Sequence, residues 1–121
     1  MDYENASDFE INKRVAECEF YPVRKIYKAN DTDESVTVLG KVAYSNFDPC
    51  NNPANAWPII TENKIGIWTH PSFDPLWTAR YNIVGKKGKI TFDVYHDKNP
   101  LRAAMIVYLM MQEGKQCLAS Q

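Results

Sequence analysis

The chain has 121 residues, the length of a single domain, and its 45% apolar share with three Trp, seven Tyr and five Phe is enough to fill a core without metal or disulfide staples. Its formal net charge of −1 excludes a general electrostatic drive toward nucleic acid or anionic lipid. The expectation is one α+β domain over residues 1–121.

The opening MDYENASDFE is acidic and polar, which a secretory signal is not. Ser7 is placed to cap a first helix, and Glu10, three residues on, to close a capping box. Ile11, Val15 and Cys18 then recur at helical spacing, so the helix is expected from Asp8 to about Cys18, with Pro22 limiting any extension. VRKIYK (23–28) reads as an edge strand, and ANDTDES as a polar turn. In SVTVLGKVAY (35–44) apolar residues alternate, predicting a strand in which Gly40 marks a bulge or a close backbone approach.

Asn52 and Pro53 open a second helix, predicted to run to about Asn63: asparagine caps well, and proline suits a first turn whose N–H has no partner anyway. Pro58 lies within it and is read as a kink, with a later helix start as the alternative. A short strand at Ile65–Thr69 follows, then the loop HPSFDP (70–75). WTARYNIV (77–84) and KITFDVYH (89–96) alternate around a tight GKKG connection, so the strands form an antiparallel meander. Asn99 and Pro100 open a last helix ending near Gly114. From Leu101 to Met111 its only charge is Arg102, which puts the helix inside the fold or under a partner. Its apolar run is too short to cross a bilayer, which takes about 20 residues.

Several residue groups admit both a functional and a structural reading. The two Asn-Pro helix starts, with Asn51, Asn52, Asn99 and Arg102, form either an anion or ligand cradle or simply two caps. Capping is the commoner use. Phe-Asp-Pro occurs at 47–49 and 73–75, so Asp48 and Asp74 are an acid–base pair or two turn formers. With His70 and His96 they form the enzyme alternative, a small hydrolase or nucleotide-modifying site that needs at least two of the four to converge around a pocket. No ligand spacing indicates a metal, and no cofactor motif is present. Cys18, Cys50 and Cys117 are far apart, odd in number and lack Cys-x-x-Cys spacing, which suits free thiols in a reducing compartment. Trp68, Trp77 and Arg80 are core residues or interface anchors. A nucleic-acid site would need Arg80, Lys86, Lys87, Lys89 and Arg102 in one stripe beside exposed aromatics.

SDFEINKRVAE, FDPCNNPANAWPII and NPLRAAMIVYLMMQE together resemble the NinX-type accessory proteins of lambdoid phages and enteric prophages, and more distantly the phage ABA sandwich domain. The resemblance covers both ends and the middle; residues 19–46 and 64–92 match least. It implies an α/β/α layering, with the expected antiparallel sheet of about four or five strands between the three helices, in which Trp57, Pro100, Ala103 and Ala104 start helices or pack the core. It also implies a phage or prophage origin and expression in the cytoplasm of a bacterial host, but it supplies no catalytic residues. The expected function is a non-enzymatic accessory protein that binds a host or phage protein, counter-defence being one setting. A homodimer through the apolar last helix is a further expectation, and no membrane partner is expected.

Overall fold

The computed structural model describes residues 1–69, 72 and 75–113. They form three helices and six strands in the order α1 (Asp8–Glu19), β1 (Val23–Lys28), β2 (Val36–Gly40), β3 (Ala43–Phe47), α2 (Pro53–Glu62), β4 (Gly66–Thr69), β5 (Trp77–Val84), β6 (Ile90–Asp97) and α3 (Pro100–Gln112). Ser7 caps α1 as its sequence indicates, accepting the Glu10 N–H at 3.1 Å. The second acid at this helix start comes from elsewhere: Glu34 accepts the Phe9 N–H at 2.9 Å. Ile11, Val15 and Ala16 lie on the buried side of α1. Burying the Ile and Val side chains contributes about 1.5–3 kcal/mol each.

Residues 35–44 are two strands rather than one. Leu39 pairs with Ala43 across Gly40, Lys41 and Val42, so β2 turns back into β3, and β1, β2 and β3 make one antiparallel sheet in that order. Alternation alone did not reveal the turn, because Val42 continues the apolar pattern while standing 74% exposed at the bend. Gly40 marks a close approach: a Cβ there would lie 3.3 Å from the Pro22 carbonyl oxygen.

Asn52 caps α2 by accepting the Ala54 N–H at 2.9 Å, and Pro53 starts it. The helix passes through Pro58, so that residue does not mark its beginning. It ends in a Schellman turn. The Ile65 N–H reaches the Ile60 carbonyl at 3.0 Å and the Lys64 N–H reaches Thr61 at 3.3 Å, which requires Lys64 to adopt φ 54°.

Strands β4, β5 and β6 form a second antiparallel meander in chain order. The α+β class is as expected, but the strands number six and lie in two sheets, because α2 separates β3 from β4. Helix α3 is the centre of the molecule. One side packs on β4, β5 and β6 and the other on α1 and α2, while α1 in turn covers β1 and β2. Every residue from Ala103 to Leu109 is buried. The apolar surface that suggested a homodimer is therefore consumed within the chain.

Candidate functional site

The two Asn-Pro helix starts meet. Asn99 caps α3, its Oδ1 accepting the Leu101 N–H at 2.9 Å and the Arg102 N–H at 3.2 Å. Its amide donates to the Cys50 carbonyl at 2.7 Å and to Asn51 Oδ1 at 3.3 Å, just ahead of α2. Asn51 donates to Asp8 Oδ2 at 3.1 Å and to Asp48 Oδ1 at 3.1 Å. The starts of all three helices are thus tied by side-chain amides. Arg102 completes the knot. Nε donates to Asp8 at 2.9 Å, Nη1 to Asp97 at 2.6 Å, and Nη2 to the carbonyls of Tyr3 (3.0 Å) and Ala6 (2.5 Å). Its side chain is only 12% exposed. These carboxylates favour its charged form despite the opposing effect of burial. With all three nitrogens engaged, Arg102 has little capacity left for an anion.

Asn12 forms the second half of this interior. It is fully buried, donates to the Glu34 carbonyl at 3.0 Å and to Asp48 Oδ1 at 2.7 Å, and accepts the Cys50 N–H at 3.0 Å. Sequence reading missed Asn12, Asp8 and Glu34, whose partners in this knot are 22 or more residues away in the chain, and Asp97, whose partners Asn99 and Arg102 are close in sequence. Asp48 acts as a turn former and anchor, its carbonyl accepting the Asn51 and Asn52 N–H groups. Burial, and then the neighbouring Asp8 carboxylate, push the Cys50 thiol well above its ordinary range, so it is an inert packing group. Cys18 is disulfide-bonded, contrary to the expectation of free thiols throughout.

The proposed acid–base residues do not assemble among the described residues. Asp48 sits beside Asn12 and Asn51, whereas His96 lies on β6 with its Nδ1 2.9 Å from the Thr78 hydroxyl. His70 and Asp74 lie outside the described residues. Among the described residues no three His, Cys, Asp or Glu side chains are grouped to hold a metal ion.

The other candidates fall on the β4–β6 sheet, and its register separates them. Ile67, Ala79 and Tyr95 are cross-strand neighbours that pack toward the core, so alternation puts Trp77 on their side. Trp68 pairs with Thr78, and Arg80 with Val94, on the opposite side. Trp68 and Trp77 therefore do not form one aromatic pair. The outward side carries Trp68 (40% exposed), Phe92 (57%) and Ile90 (66%). The Arg80 guanidinium lies 4.1 Å from the centre of the Phe92 ring, steadied by Asn82 Oδ1 at 3.2 Å from Nη2. Beyond Val84 and Ile90, the β5–β6 turn presents Lys86, Lys87 and Lys89. Four of the five basic residues considered for a nucleic-acid stripe thus share this sheet and its turn, while Arg102 is in the interior knot. Trp57, read from sequence as a core or helix-start residue, is 62% exposed on α2.

The bacteriophage P22 NinX family model matches residues 2–112. The chain belongs to that family. No curated protein matches it. Among solved structures, the NinX-family chain is similar in fold to a phage protein from Bacillus cereus ATCC 14579. Their TM-score is 0.53 at 12% identity, over 87% of this chain and 86% of that one. Within the described residues, no helix of this NinX-family member is long and apolar enough to cross a membrane.

Proposed function

We propose that this NinX-family protein is a non-enzymatic recognition module that binds a host or phage protein, in the bacterial cytoplasm, through the outward face of β4–β6. The observation that carries this reading is the Arg80–Phe92 stack. A cation is held 4.1 Å over an aromatic ring that stays 57% exposed, and no carboxylate among the described residues pairs with it. Aromatic and arginine side chains are the usual anchors of protein interfaces, and a contiguous exposed apolar patch is the usual mark of one. The polar residues of the helix starts are bonded to one another, whereas Trp68, Ile90 and Phe92 on the sheet face stay exposed.

The test is affinity capture from host cells with wild-type protein beside Phe92→Ser and Arg80→Ala variants. A protein retained by the wild type and lost with both variants supports the reading. Identical capture by all three places any binding elsewhere and removes the reading.

A further inference from the structure

The chemistry of the β4–β6 face constrains what it binds. Two carboxylates occur on the three strands, Asp93 and Asp97, and their register with Tyr81 and Trp77 puts both on the α3 side. The outward positions thus combine aromatic and aliphatic residues with Arg80 and hold no negative charge. Cations are concentrated at one end, where Lys86, Lys87 and Lys89 surround the turn, and none of them is ion-paired among the described residues. The turn geometry holds them in place: Gly85 N–H donates to the Lys89 carbonyl at 2.7 Å, and Lys87 takes up φ 62°. At the far end of β6 a shallow recess of about 490 Å³ is lined by Leu76, Val94 and Tyr95 together with Glu4, His96, Asp97 and Lys98, so both signs of charge meet there. The face is therefore polarised along the strands, from cationic to mixed.

We propose that its occupant is an acidic protein segment bearing apolar side chains, lying along the sheet with its carboxylates at Arg80 and the lysine turn and its apolar groups over Ile90, Phe92 and Trp68. This rests on the reading of the face as a binding surface and adds the chemistry of the partner. In a chain of net charge −1, outward strand positions without a carboxylate, beside four cations that form no ion pair among the described residues, select a negative partner by complementarity. Single-stranded nucleic acid is also negative, but it needs free ring faces for stacking and cations that follow its backbone. Here Arg80 covers one face of Phe92, Trp68 is two strands away on β4, Val84, Ile90 and Val94 offer no ring, and three of the four cations are at one end. A second copy of the same face would carry the same cations and offer no carboxylate from its outward strand positions.

The experiment measures fluorescence polarisation of four labelled probes against the full chain. They are a short peptide alternating Asp with Phe and Ile, the same peptide with Lys for Asp, the same with Ser for Phe and Ile, and oligothymidylate. The Asp–Phe–Ile peptide is expected to bind and the lysine and serine versions to bind at least about tenfold more weakly, as when the charge or the apolar anchors of an interface are removed. Its affinity is expected to drop about tenfold with Phe92→Ser, and similarly with Lys86→Ser, Lys87→Ser and Lys89→Ser combined, substitutions at exposed positions that leave the fold intact. Binding of oligothymidylate or the lysine peptide in preference, abolished by Phe92→Ser, overturns the acidic occupant but keeps the face as the binding surface. Peptide binding unchanged by every variant overturns the inference. If no probe binds and no captured host protein depends on Phe92, the inference and the underlying reading fall together.

Discussion

Arg80 and Arg102 have the same side chain in opposite settings. Arg102 enters the knot of helix starts, meets Asp8 and Asp97, and donates to two backbone carbonyls as well. Arg80 stands on the outward sheet face, with an aromatic ring beneath it and no ion pair to an acid among the described residues. The first arginine has its donors satisfied by the protein's own groups, so it holds the fold together. The second is fixed in position with its charge uncompensated. The contrast shows that an arginine near a helix start and an arginine on a strand cannot be ranked as binding residues from composition. What separates them is whether the fold supplies the counter-charge.

The largest expected effect comes from breaking the interior side of this comparison. Arg102→Met leaves Asp8 and Asp97 partly buried without their cation and is expected to cost about 3–5 kcal/mol of unfolding free energy, read from urea denaturation. Arg102→Lys is expected to recover only part of this loss, since an ammonium cannot reproduce the planar fork that reaches two carboxylates and two carbonyls. Asn12→Ala comes next: it leaves the buried Cys50 N–H without its partner, removes the donor to the Glu34 carbonyl and to Asp48, and is expected to cost about 2–3 kcal/mol in the same assay. On the other side, Phe92→Ser and Arg80→Ala are expected to change stability by less than about 1 kcal/mol while removing partner binding. A loss of stability from Phe92→Ser as large as that from Arg102→Met would erase the distinction between the two regions. The smallest effect is a gain: Lys64→Gly relieves the positive φ at the end of α2 and is expected to raise stability by about 0.5–1 kcal/mol, visible as a higher thermal midpoint.

Much of the architecture was legible because it is written locally. Ser7, Asn52 and Asn99 cap the helices their neighbours indicate, and the alternation of 77–84 and 89–96 marks a real hairpin. The Asn-Pro pair is capping grammar, as the commoner reading held. What no local pattern shows is that the two starts touch, with Asn99 bonded to the Cys50 carbonyl and to Asn51. The partners of Arg102 include Asp8, 94 residues earlier in the chain, and a spacing rule cannot see across that distance. On the sheet, alternation correctly implied two faces but could not say which one α3 would cover. Alternation puts Trp77 on the apolar side of its strand, but only the pairing of Ile67 with Ala79 shows that Trp68 is on the other side.

Helix α3 is the last described element and also the one on which the others are assembled. During synthesis, residues 1–99 leave the ribosome before the surface they pack against has been made. Until residues 100–112 emerge, the sides of α1, α2 and β5 bearing Ile11, Ile59 and Ala79 have no lining, so productive folding waits for α3. A nascent chain stalled before Pro100 would be a substrate for chaperones and proteases rather than a partly working protein.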